Sequence, residues 1–356
     1  MGARHHLIRT TGQMNAGAQL LNWIAEHEAI FSGVAAAIVI VGVIGAMSSR
    51  TLGLLRSRSR KENDVAASNL QQTTQPICQE IRYCRLPDGH KVAWSSAGNG
   101  YPLIRSLGWF TNLEMEWNSP VSAPFWQQLA SRYQLIRYDG RGMGLSDRDV
   151  QEFSPATRLE DLEVVIEASG AEKFALMGMS EGGSTAIKYA HKYPERVSHL
   201  IIWGSFLVPP DPEEVPQFGP IARLMPEHWG GESAAFHQMF TAMFLPEGNA
   251  AQNKLFNEMQ RTSAAPDTAF LFTKSISDID VRNIANQVRV PALVIHRKGD
   301  LVIPVRYGQN LAAQLRNSRI VLLDGSNHWM VAQDDTDYIV SLIDEFLSNS
   351  DSQPDS

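Results

Sequence analysis

The sequence predicts an α/β fold. Its core is a doubly wound, mostly parallel eight-stranded sheet with a helical cap insertion, and one transmembrane helix precedes it. Three observations lead there. Short apolar runs alternate with helical patterns between about residues 77 and 350, as parallel βαβ units require. One such run, Phe174 to Met179, passes through a serine turn into a helical pattern from Thr185 to Tyr193. Well ahead of this alternation, Ile30 to Met47 gives eighteen residues without a charge, the lower limit for a membrane-spanning helix.

Bulk composition narrows the function classes. A chain of 356 residues with 44% hydrophobic residues can bury one large core and carry appendages. A net charge of −7 supplies no basic face, so no nucleic-acid partner is expected. Two cysteines, Cys78 and Cys84, exclude a disulfide scaffold and suit a reducing compartment. No Cys-x-x-Cys or His/Cys cluster is present, so no metal site is expected.

Residues 1–29 read as a mixed, weakly helical N-terminal segment with Arg4, His5, His6 and Arg9 near its start. For residues 30–47 a core helix would show a polar face, whereas only Ser32 and glycines interrupt the apolar run. A cleaved signal peptide is the other reading, but its apolar run is usually shorter and close to a basic start. Residues 12–29 lack Lys and Arg, while Arg50, Arg56, Arg58, Arg60 and Lys61 follow the span. The positive-inside rule therefore places the rest of the chain on the cytoplasmic side of a single-pass anchor, export being the alternative. Gly33/Ala37 and Gly42/Ala46 are small-xxx-small pairs that allow two spans to pack, so a homo-oligomer is open. Residues 48–76 read as a basic flank and polar linker, and 351–356 as a disordered tail.

The folded domain is expected over 77–350. Gln79–Arg85 and Lys91–Ser95 read as strands joined by the turn Pro87-Asp88-Gly89. Pro102–Leu107 and Gln134–Tyr138 are short apolar strands. Thr157–Ser169 is a helix with Leu159, Leu162, Val165 and Ile166 on one face. Beyond the serine turn come strands at Ser198–Trp203, Val290–His296 and Arg319–Leu323, and a closing amphipathic helix at Tyr338–Leu347. Some eighty residues between two of these strands are too many for a structureless loop. Helical patterns at 221–224, 232–244 and 253–261 make this stretch, about 206–285, a cap. Its Phe218, Met225, Trp229, Phe236, Met239, Phe240, Met243 and Phe244 either line a pocket or bury the cap against the sheet.

The chemistry centres on Gly178-Met179-Ser180-Glu181-Gly182, a G-x-S-x-G in the strand–turn–helix setting of a nucleophile elbow. The tight turn requires small flanking residues, hence Gly178 and Gly182. Ser180 then presents its hydroxyl at a helix N-terminus, whose partial positive charge favours a developing oxyanion. A serine needs a base, and the base an orienting acid, here in the chain order Ser, Asp, His. Asp300 follows the strand ending at His296 and His328 follows the next one, so both fall at the sheet edge where Ser180 stands. Asp324 is the competing acid. Oxyanion donors are expected from the backbone N–H of Glu181 and of Trp109, although the Trp109 indole could serve only as a pocket wall. His296 is read as a core histidine, and His228 and His237 as at best substrate contacts.

The elbow, the segment Asp139-Gly-Arg-Gly-Met-Gly-Leu-Ser-Asp147, Gly299-Asp300 and Asn327-His328 together resemble the α/β-hydrolase fold superfamily, from about Ile77 to Leu347. Residues 81–90 and 135–147 more narrowly resemble hydrolase domains fused to bacterial adenylate cyclases or transcriptional regulators. The resemblance implies a serine esterase, lipase or related acyl hydrolase that needs no cofactor. Leu107-Gly108 departs from the usual His-Gly of the oxyanion strand. The expectation is a membrane-anchored serine hydrolase acting on a hydrophobic small-molecule ester, thioester or lactone. The same triad also serves carbon–carbon bond hydrolases and cofactor-free haloperoxidases. The alternative is a ligand-sensing or signalling module that keeps the fold without turnover.

Overall fold

The computed structural model describes residues 77–231, 234–330 and 336–348. The expected N-terminal segment, membrane span, linker and C-terminal tail lie outside the described residues. Among those described, no helix is long and apolar enough to cross a membrane.

In chain order the elements begin with β1 (Gln79–Arg85), β2 (Lys91–Ala97) and β3 (Pro102–Ser106). Helices α1 (Leu113–Asn118) and α2 (Ala123–Ala130) lead to β4 (Gln134–Tyr138), α3 (Pro155–Ser169), β5 (Phe174–Met179), α4 (Glu181–Lys192) and β6 (Val197–Trp203). The cap follows as α5 (Phe218–Ala222), α6 (Met225–His228), α7 (Ala234–Phe244), α8 (Ala250–Ser263) and α9 (Pro266–Lys274), with a 3-10 turn at Ser275–Asp278 and α10 (Arg282–Ala285). The chain closes with β7 (Ala292–Arg297), α11 (Val305–Gln314), β8 (Ser318–Leu323) and α12 (Thr336–Ser348).

The eight strands form one sheet in the order β1-β2-β4-β3-β5-β6-β7-β8. β2 runs antiparallel to β1 and β4, and every other neighbouring pair is parallel. The hairpin closes where expected, with the Leu86 N–H donating to the His90 carbonyl at 2.8 Å.

Central strands are buried along their whole length because helices cover both faces. β5 shows this: all six of its residues are buried. Phe174 and Leu176 join the core under α3, α4 and α11 through Leu162, Ile187 and Leu311. Ala175, Met177 and Met179 join the opposite core, built with Phe125 and Trp126 of α2 and Ile339 and Ile343 of α12. The two-residue period of the strand thus feeds two separate cores.

Helix limits follow their caps. α3 starts two residues before its apolar pattern, because Ser154 makes a capping box with Thr157 and Pro155 fits the first turn. It ends on Gly170 in the left-handed region. The cap departs most from expectation. A helix expected at 221–224 straddles the break between α5 and α6, where Pro226 opens the second piece. α9 and the turn after it were not anticipated.

Candidate active site

Each of the three expected residues comes from the carboxyl end of a different strand. Ser180 sits between β5 and α4 at φ 53° and ψ −131°, the one non-glycine residue with positive φ among those described. This backbone is strained, and its surroundings hold it. The Ser180 N–H donates to the Trp203 carbonyl at 2.9 Å. Gly182 passes so close to the oxyanion loop that a Cβ there would lie 1.5 Å from the Leu107 carbonyl oxygen. At Gly178 a Cβ would lie 2.5 Å from the Gly183 Cα. Both elbow glycines are therefore required by contact.

His328 follows β8. Its Nδ1 shares a 2.6 Å hydrogen bond with Asp300 Oδ2, and its Nε2 lies 3.1 Å from Ser180 Oγ. The tautomer that satisfies both bonds carries its proton on Nδ1, leaving Nε2 to accept from the serine hydroxyl. The backbone of His328 is pinned twice: its N–H donates to the Phe244 carbonyl at 2.9 Å, and its carbonyl accepts from Trp203 Nε1 at 2.9 Å. Asp300, after β7, accepts at Oδ1 from the Val302 and Ile303 N–H groups, each at 2.9 Å. Burial alone would raise its pKa, but His328, the Ile303 N–H and His296 bring it below the ordinary value. Asp324 points the other way. Its side chain is exposed and bonds Lys298 Nζ, so it has no part in the line.

His296 is a core residue as read, yet it also belongs to the surroundings of the site. Fully buried in β7, its Nε2 lies 2.8 Å from the Ile303 carbonyl and 3.6 Å from Asp300 Oδ2. Burial lowers its pKa against the opposing pull of the Asp300 charge.

The segment from Asp139 to Asp147 is scaffold. Asp139 Oδ2 accepts from the Leu113 and Leu145 N–H groups, and Arg141 is fixed by Asp161 through Nε at 2.8 Å and its N–H at 3.1 Å. Gly140 lies against Leu107, so this loop backs the one that carries Trp109. The Trp109 N–H has no acceptor among the described residues. Its indole is not merely a wall, since Nε1 donates to Gln260 Oε1 at 3.1 Å and the ring packs 4.8 Å from Phe244.

Ser180, Glu181 and Trp109 open on a cavity of about 590 Å³. Of the eight cap residues read as wall or filler, Phe218 and Phe244 line it. Met225, Trp229, Phe236, Phe240 and Met243 fill the interior of the cap, and Met239 is exposed. The remaining wall includes Val208 and the prolines 209, 210 and 212, with Thr273, Ile276 and Ser277 from the end of α9 and its turn, and Tyr307 from α11. None of these was expected. The run of prolines after β6 was the available signal, since such a segment is stiff and extended.

Residues 107–335, more than half of the chain, match the family model described as alpha/beta hydrolase fold. The chain belongs to this family. Among curated relatives, the 2-hydroxymuconate semialdehyde hydrolase of Pseudomonas putida is 25% identical over 300 residues, covering 80% of this chain and 98% of its own. A pimeloyl-[acyl-carrier protein] methyl ester esterase from Aliivibrio salmonicida is 24% identical over 279 residues, covering 71% and 97%. Among solved structures, the esterase RhEst1 from Rhodococcus sp. ECU1013 superposes with a TM-score of 0.64 at 23% identity, covering 75% of this chain and 98% of that one. The α/β-hydrolase fold and family are those expected from the sequence, and the relatives named are hydrolases.

Proposed function

We propose that the protein is a serine hydrolase that cleaves a carboxylic ester or related acyl bond through an acyl-enzyme. The observation that carries this reading is the unbroken Asp300–His328–Ser180 hydrogen-bonded line, ending on a strained serine at the cavity. His328 Nε2 takes the hydroxyl proton as Ser180 Oγ attacks the carbonyl, and Asp300 holds the resulting imidazolium. In this reading the N–H groups of Trp109 and Glu181 receive the oxyanion, a contribution of about 3 kcal/mol per donor in comparable sites. His328 returns the proton to the leaving alcohol, and water repeats the sequence to free the acid. No step calls for a cofactor.

A fluorophosphonate probe should label the wild-type protein, and p-nitrophenyl esters of short acids should be turned over. Ser180→Ala should abolish labelling and lower kcat by roughly 10⁶-fold. Labelling that survives in Ser180→Ala would overturn the proposal. A second reading is favoured by the Pseudomonas relative, whose name marks it as a semialdehyde hydrolase. Carbon–carbon bond hydrolysis uses the same three groups, and the same Ser180→Ala comparison with a ring-cleavage dienoate as substrate tests it.

We further propose that residues 30–47 anchor the enzyme in a membrane with the hydrolase domain on the cytoplasmic side, because their length and the basic flank after them fit a single span. The full chain should sediment with membranes and resist carbonate extraction, whereas a chain lacking residues 1–76 should not. Equal release of both forms would remove the anchor.

A further inference from the structure

The cavity wall is largely apolar, with Asp211, Ser277 and Tyr307 among its polar members and Glu181 as its buried acid. Glu181 is the first residue of α4, only 2% exposed, and it lines the cavity beside Ser180. An acid at a helix start is usually satisfied by backbone N–H groups and the local dipole. Here Oε1 has no hydrogen-bond partner among the described residues. The nearest buried cation does not close on it. Arg158 of α3 commits Nη2 to the Phe272 carbonyl at 3.1 Å and to Ser275 Oγ at 2.8 Å, and its Nε and Nη1 are left over. Its guanidinium stands over the Phe272 ring, 4.4 Å from the centroid, and forms no direct ion pair with Glu181. Thr273, on the same wall of the cavity, also carries a buried hydroxyl without a partner.

Buried polar atoms are rarely left unmatched, and at the rim of an empty pocket the missing partner is a ligand group. Resting on the hydrolase reading above, we propose that Glu181 is a specificity-determining residue, selecting neutral acyl substrates that bear a hydroxyl group and rejecting those that bear a second carboxylate. A substrate hydroxyl can donate to Glu181 Oε1, and Thr273 Oγ1 offers a second unmatched group on the cavity wall. A substrate carboxylate would instead bring a like charge to a wall that already carries Glu181 and Asp211. Burial raises the pKa of the Glu181 carboxyl, against the opposing pull of Arg158, its own N–H, the Ser180 hydroxyl and His328. The apolar wall of Phe206, Val215, Phe218 and Ile276 takes the carbon chain.

The test compares four ethyl-type esters on the full-length enzyme: ethyl butyrate, ethyl 3-hydroxybutyrate, 2-hydroxyethyl butyrate and monoethyl succinate. The two hydroxylated esters cover the acyl and alcohol sides. At least one should exceed ethyl butyrate in kcat/KM by roughly tenfold or more, the usual weight of a hydrogen bond to a buried charged group. That preference should collapse in Glu181→Leu. Monoethyl succinate should be the poorest substrate of the wild type, and should gain about tenfold against ethyl butyrate in the isosteric Glu181→Gln. Affinities of the same four esters for Ser180→Ala, measured by calorimetry, should follow the same order. If the wild type turns over the esters with all ratios within about twofold, unchanged in Glu181→Leu, the selectivity proposal fails while the hydrolase reading stands. If no ester is turned over and Ser180 resists a fluorophosphonate, both fail.

Discussion

Ser180 is held in a backbone conformation that an L residue avoids, and the residues that hold it lie far from it in sequence. The Leu107 carbonyl leaves no room for a methyl group at position 182, and Trp203 supplies the acceptor for the Ser180 N–H. Gly182→Ala must push apart the loop after β3 and the start of α4. The expected cost is about 3 kcal/mol or more of stability, with loss of fluorophosphonate labelling, because the displaced loop carries Trp109. Chemical denaturation of the variant checks this, and unchanged stability would mean that the loop yields freely. At this scale the sequence was informative wherever chemistry follows chain order: Ser180, Asp300 and His328 were legible from one turn and two strand ends. It was silent on partners set by the third dimension. Arg158 approaches Glu181 because α3 lies beside α4, and no spacing announces it.

The elements differ in how plainly they are written. Central strands such as β5 and β7 are short, mostly apolar, buried throughout and bounded by turns, so their positions follow from composition. The cap pieces are set by tertiary contact. α5 and α6 are five and four residues long and draw little from propensity, and α9 begins at Pro266 without an apolar stripe that stands out. A second feature of this scale is an ionic cluster that ties α1 to β3 and β4. Glu116 accepts from Arg105 Nη1 at 2.8 Å and Arg137 Nη1 at 2.9 Å, and all three side chains are at most 1% exposed. Trp126 lies under both guanidiniums, and Arg105 also faces Trp329, next to His328. Burial lowers the Arg137 pKa to about 10 despite the Glu116 charge. Glu116→Gln leaves two buried cations without their shared anion and should cost about 3–5 kcal/mol. Thermal unfolding of the variant measures it; a loss below about 1 kcal/mol would show that water reaches the cluster.

For the whole molecule, acid sensitivity should trace in part to the interior of the cap. His237 is fully buried against Trp229, with ring centroids 4.8 Å apart, and burial together with the nearby Arg261 charge lowers its pKa from 6.5 to about 4. Between these values the unfolded chain binds a proton that the folded chain refuses, so stability falls as pH drops from 6.5 to about 4. Asp139 and Asp161 act in the opposite sense. Burial raises each to about 6, and the stability linked to them is lost as pH rises from 3.8 to about 6. The His237 contribution therefore appears as a difference: wild type should lose more stability than His237→Gln over the same acid range. Parallel curves for the two proteins would place the ring's proton uptake outside that range. The three groups of the proposed triad also have a consequence for biosynthesis. The alcohol of residue 180 precedes its imidazole by 148 positions, with the entire cap between them. A polypeptide leaving the ribosome therefore carries an inert hydroxyl until nearly all of it has been translated, and the cell meets the reactive serine only once the lid that restricts its access is already made.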